Sequence, residues 1–198
     1  MSTRVAEQSA VRPSWFAGLV TDPAGTAAFL AEVADRVARR AAGHVLVVGD
    51  DPGVGEGLTR LGYPASVTGL DTVRTGPRGR RVDVVYLGAD RLSRLGDQRD
   101  QLRLVRRLAA LLRPGGALVI QHRHPDPAEW DGDPAVVGFD ATRQSLLLAD
   151  HPGPLRYVWP AELDLLAELA ELALDARWGG WYGEPVRCGG AVVSVYRS

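Results

Sequence analysis

Two imidazoles one residue apart, His122 and His124, follow the apolar run "ALVI" and are the side chains best suited to acid–base chemistry in this sequence. An imidazole titrates near neutral pH, so either could take a proton from a hydroxyl or ammonium group held beside it. Asp90 and Arg91 follow a second apolar run, "VDVVYL", and set a carboxylate and a guanidinium at another strand end. His122 and His124 project to one side of a strand, and Asp126 comes soon after. No other clear metal ligand accompanies them, so no metal site is expected. Cys188 is the only cysteine, which excludes a disulfide framework or a thiolate metal cluster within the chain.

The stretch "VLVVGDDPGVG", Val45–Gly55, reads as a buried strand entering a glycine-bearing turn, the way many nucleotide-binding folds begin. Gly49 and Gly53 offer close backbone approach. Asp50 and Asp51 place two carboxylates where a phosphate-binding loop needs bare backbone.

Composition bounds what these groups can serve. A length of 198 residues suits one domain with a sizeable core. The net charge of −1, with both signs spread along the chain, offers no nucleic-acid-binding surface, and the Arg-rich piece over 74–81 reads as a solvated loop. No apolar run reaches transmembrane length, and residues 1–13 are polar and lack the apolar centre of a signal peptide. A cytoplasmic protein with no membrane partner is expected. Residues 1–13 form a flexible arm in this reading, and 14–198 form a single domain.

The positioning elements follow from periodicity. Asp22-Pro23 opens a helix with Ala27, Phe29, Leu30, Val33, Val37 and Ala41 at helical spacing, closed by Gly43. "HVLVVG" is a strand buried on both faces, "VGEGLTRLG" a short helix, and "ASVTGLD" a second strand ending in Asp71. "TVRTGPRGRR" reads as loop and "VDVVYLGA" as strand. "DQRDQLRLVRRLAALLR" is a helix stopped by Pro114-Gly-Gly116 before the strand "ALVIQH". Residues 125–135 read as loop and 136–159 as a small β-meander. Pro160 opens an apolar helix, and "ALDARWGGWY" with "AVVSVYRS" forms a terminal antiparallel pair. Strands alternating with helices give an α/β fold with a mostly parallel sheet and helices on both faces. Trp130, Tyr157, Trp159, Trp178, Trp181 and Tyr182 could line a pocket, though aromatics beside an apolar helix are more often core.

This order of signals resembles the class I S-adenosylmethionine-dependent methyltransferases of small-molecule type, from about Trp15 to the end. "VLVVGDDPG" is similar to the family's first strand and glycine loop, and "VTGLD" to its second strand with a terminal acid. "VDVVYLGADRLSRL" is similar to the fourth strand and the loop crossing the cofactor, and "LRLVRRLAALLRPGGALVI" to the following helix, turn and strand. The resemblance implies a Rossmann-like fold with a C-terminal antiparallel pair and a meander lid. It also implies S-adenosylmethionine as cofactor, bound by Gly49, Asp50, Asp51, Gly53, Asp71, Thr72, Gly88, Ala89 and Asp90. Asp71 would hold the ribose hydroxyls, and His122 or His124 would be the base for methyl transfer to a small-molecule acceptor.

Three departures qualify that expectation. Val47 occupies the position of an acid near the cofactor's methionine end, and Asp51 takes the place of the middle glycine. Only about ten residues separate Asp71 from Val82, too few for the family's second crossover helix and third strand with its adenine-facing acid. The expected protein is a small-molecule methyltransferase with a degenerate cofactor site. Two alternatives stand beside it: a catalytically impaired subunit that supports a partner, and a fold repurposed for a non-methylating reaction. Loss of the third strand would leave "ASVTGL" as a bare sheet edge open to homo- or hetero-oligomerisation.

Overall fold

The structure is a computed structural model that describes residue 19 and residues 22–38, 42–49, 51–76, 80–88 and 90–198. The arm expected over residues 1–13 lies outside the described residues, as do Asp50 and Ala89.

Asp22 caps α1 (Pro23–Val37): its carboxylate accepts from the Gly25 N–H at 2.7 Å, and Pro23 sits in the first turn, where no N–H is needed. The chain continues through β1 (Val45–Val48), α2 (Pro52–Arg60), β2 (Ala65–Thr68), α3 (Leu70–Thr75), β3 (Val82–Leu87), α4 (Gln98–Ala110) and β4 (Leu112–Arg123). After these come α5 (Pro127–Trp130), β5 (Val136–Asp140), β6 (Ser145–Leu148), β7 (Leu155–Arg156), α6 (Pro160–Glu168), β8 (Ala173–Trp178) and β9 (Ala191–Arg197).

The main sheet has the order β2-β1-β3-β4-β9-β8, with β2, β1, β3 and β4 parallel and the last two strands joined antiparallel. Alternation along the strands sends Val45, Val47, Val84, Tyr86 and Val119 toward α1 and α2. Val48, Val85, Leu87, Leu118 and Ile120 face α4 and α6 on the other side. Both faces of the parallel strands are therefore buried, which is why they read as unbroken apolar runs. This is the Rossmann-like α/β fold expected from the sequence. β5, β6 and β7 form the separate antiparallel meander, closed over Trp130, Leu146, Leu148, Leu155 and Tyr157.

A buried arginine fixes the meander to the body. Arg156 on β7 donates to Gln144 Oε1 at 2.7 Å and to Glu162 Oε1 of α6 at 2.7 Å, and it also bonds Gln101 of α4. Its own N–H reaches the Ser93 carbonyl at 2.7 Å.

Four local expectations need correction. β2 ends at Thr68, and Asp71 belongs to the first turn of α3 instead of closing the strand. The segment read as loop after Asp71 begins inside that helix. Its last carbonyls are satisfied by Arg107 of α4, which donates to Val73 O at 3.2 Å and Gly76 O at 3.3 Å. Such a cap from a distant helix leaves no local signal. The Pro114-Gly-Gly116 turn lies within β4, whose pairing with β3 shifts register between Val82 and Val84. In the segment 125–135, Asp126 caps the four-residue α5 by accepting from the Ala128 N–H at 3.2 Å.

The short connection does what its length requires. Among the described residues α3 is the only element between β2 and β3, and β2 is an edge strand with Val67 46 % exposed.

Candidate active site

In open parallel sheets ligands sit beyond the carboxyl ends of the strands, where strand order reverses. Here β1 runs into Gly49 and β3 into Gly88, and β4 carries Gln121 near its end. The Gly49 N–H donates to Thr68 O at 2.8 Å, and its φ of 137° is one that side-chain-bearing residues rarely adopt. Asp51 follows as the cap of α2, its carboxylate accepting from the Val54 N–H at 3.3 Å. Gly53 lies in the first turn of that helix, where an added Cβ would come 3.3 Å from Pro23.

A side chain already occupies this edge. Arg91 is only 8 % exposed, and its Nε lies 1.9 Å from where a Cβ on Gly49 would stand. The loop that carries it is tightly turned. The Arg91 N–H donates to Gly88 O at 3.2 Å, Asp90 holds a φ of 51°, and the Ser93 hydroxyl donates to Asp90 O at 2.6 Å. Beneath, the Tyr86 hydroxyl donates to Gln121 Oε1 at 2.8 Å, and Gln121 Nε2 donates to the Leu19 carbonyl at 2.6 Å. Burial pushes the Tyr86 phenol up, reinforced by the nearby Asp51 carboxylate and opposed by Arg91. The space left among these groups is about 10 Å³.

Of the expected cofactor residues, the structure thus places Asp51 and Gly88 on the cleft and Gly49 against the Arg91 side chain, and Asp90 is buried in the turn before Arg91. Asp71 and Thr72 do not line this cleft. The Asp71 side chain is 90 % exposed and pairs with Arg74 at 3.4 Å, while Thr72 borders a groove of about 520 Å³ between α3 and α4.

Neither histidine lines the cleft. His122 is buried on the α6 and β8 side. Its Nδ1 is 3.1 Å from Arg123 O, and its Nε2 is buried with no hydrogen-bond partner. Burial, with Arg177 nearby, pushes its imidazole down to about 4. His124 is half-buried, its Nδ1 2.8 Å from Pro125 O and its ring edge-on to Trp159 at 5.7 Å.

The aromatic residues do not converge either. Trp130, Tyr157 and Trp159 cluster under the meander, Trp178 and Trp181 pack on Phe29 across the sheet, and Tyr182 is exposed. Neither Tyr86 nor Leu19 is among the site residues expected from the sequence. The one usable signal is a tyrosine hydroxyl within the aliphatic part of β3, after Asp83.

Among the described residues no group of three or more His, Cys, Asp or Glu is placed to hold a metal ion, and no helix is long and apolar enough to cross a membrane.

This sheet order is that of the class I S-adenosylmethionine-dependent methyltransferase fold. Known structures agree. The CcbJ methyltransferase from Streptomyces caelestis matches with a TM-score of 0.70 at 25 % identity, over 92 % of this chain and 98 % of that one. CalS10, an amino pentose methyltransferase from Micromonospora echinaspora bound to S-adenosylmethionine, matches with a TM-score of 0.52 at 20 % identity, over 87 % and 92 %. The 1,6-didemethyltoxoflavin-N1-methyltransferase of Burkholderia thailandensis, bound to its substrate and S-adenosylhomocysteine, matches with a TM-score of 0.60 at 16 % identity, over 90 % and 80 %. No protein-family model and no curated protein matches the chain.

The cofactor implied by this fold does not fit the residues in the conformation described. A single water needs roughly 10–15 Å³ of such space and a small-molecule site typically about 300–1,000 Å³, against about 10 Å³ here.

Proposed function

We propose that this protein is an S-adenosylmethionine-dependent methyltransferase acting on a small molecule, with a cofactor site that is degenerate and closed in the conformation described. The carrying observation is the likeness to the CcbJ methyltransferase over nearly the full length of both chains. In this reading Gly49 and Gly88 supply close backbone approach and Asp51 supplies a carboxylate at the sheet edge. Asp90 and Gly53 shape the flanking turns. Asp71 and Thr72 belong to the ribose side and would reach it only if α3 moved. His124, half-buried at the end of β4, is the better placed base. His122 is held neutral and enclosed. A cytoplasmic location and a role in secondary metabolism belong to the same proposal.

The test is calorimetric titration of the full chain with S-adenosylmethionine. Saturable binding supports the reading, and silence at millimolar ligand both in the full chain and in a variant with the cleft opened ends it.

A second reading, a methyltransferase-fold subunit that supports a partner, rests on the edge position of β2. "ASVT" carries no Pro or Lys to block added strands, and Val67 is exposed. Co-purification with a partner that is lost in Val67→Lys would favour this reading. A monomer that turns over substrate unaided would exclude it.

A further inference from the structure

The Gly49 backbone is bare where a ligand would approach it, and a cation from the chain itself takes that approach. An arginine buried to this degree is uncommon, because the guanidinium gives up its water. Arg91 nevertheless turns inward, directed by the left-handed backbone of Asp90 and by its N–H bond to Gly88 O. The groups facing it come from several elements: Asp51 from the cap of α2, Thr26 from α1, Tyr86 from β3, Gln121 from β4, and Leu19. Their arrangement suits a positive charge set among polar groups.

We propose that Arg91 is an internal occupant of the adenosyl-ligand cleft and that ligand admission is set by its displacement. This rests on the methyltransferase reading and adds its regulation. S-adenosylmethionine carries a sulfonium and an ammonium, so the departing guanidinium exposes Asp51 to a ligand of like charge. The movement needs no change in the sheet. Residues 90–93 form turns beyond β3, and Ser93 is tied through its carbonyl to Arg156 of β7, which confines the movement to the side chain and turn of Arg91. Apparent affinity then falls by the fraction of molecules in which Arg91 has left.

The experiment is a calorimetric titration of S-adenosylhomocysteine and S-adenosylmethionine into the full chain and into Arg91→Ala and Arg91→Met, each checked for folding by circular dichroism. Arg91→Ala is expected to bind at least tenfold tighter than wild type, and Arg91→Met, which keeps bulk without charge, to fall between. Equal affinity in wild type and Arg91→Ala overturns the displacement while leaving the methyltransferase reading intact. Weaker binding in Arg91→Ala makes Arg91 a ligand contact and likewise overturns it. Absence of binding by all three proteins at millimolar ligand ends both.

A measurement on wild type alone covers the case in which the variants do not fold. The Arg91 Nε–H resonance, protected in the buried site, is expected to disappear into solvent exchange on saturation with S-adenosylhomocysteine. Its persistence at saturation overturns the proposal.

Discussion

Arg91 Nε stands 1.9 Å from the point where Gly49 would carry a Cβ, so the glycine that a nucleotide-binding loop reserves for its ligand here accommodates an arginine. Gly49→Ala must strain a φ of 137° and expel Arg91 together. The expected loss is about 2–3 kcal/mol, combining backbone strain with overpacking. In Gly49→Ala/Arg91→Ala the collision disappears and the strain stays, giving a coupling of roughly 1 kcal/mol in a urea-denaturation cycle. Additive losses would show that the two positions do not touch.

Tyr86 anchors the floor of the cleft through Gln121, which in turn holds the Leu19 carbonyl. Tyr86→Phe removes a donor from a buried acceptor at little change in shape. A loss of about 1–2 kcal/mol in thermal or chemical denaturation is expected. An unchanged stability would mean that the bond is replaced without cost.

His122 should make stability depend on pH. Its imidazole protonates near 6.5 when unfolded and at about 4 when folded. Above pH 6.5 both states hold it neutral and its stabilising burial is fully present. As pH falls toward 4, the unfolded chain takes up a proton that the folded one refuses, and stability drops by about 1.4 kcal/mol per pH unit. Below 4 the contribution levels off. Urea midpoints measured across this window should show the slope in wild type and its loss in His122→Asn; the same slope in both would assign it to other groups.

Arg156 and Glu162 form a buried ion pair at 2.7 Å, with side chains 7 % and 13 % exposed. Arg156→Met leaves the Glu162 carboxylate without its cation, at an expected cost of about 3–5 kcal/mol. Because Arg156 joins the meander to α4 and α6, limited proteolysis should then cut first within residues 136–159. Wild-type resistance in that segment would show that the apolar contacts hold it alone.

Much of the fold was legible because its signals are local. Asp22-Pro23 caps a helix by chemistry three residues away, and the runs at Val45 and Val82 are apolar because both faces of a parallel strand are covered. The missing strand was legible as a length, since about ten residues after Asp71 cannot supply a helix and a strand. α3 was not legible, because its last turn is closed by Arg107 from a helix more than thirty residues on. The site was legible mainly as an edge. Asp51 and Gly88 line it and Gly49 lies against Arg91, while Asp71 faces solvent and His122 turns to the opposite face of the sheet.

The sequence by itself determined the order of the elements, the α/β class and the shortened connection, since periodicity, caps and chain length act over a few residues. Only the tertiary structure decided that Arg91 fills the cleft, that His122 is sealed from it, and that Arg156 fastens the meander. Each of these depends on the packing of residues far apart in the chain, where burial and a specific neighbour, not residue type, set what a charged side chain can do.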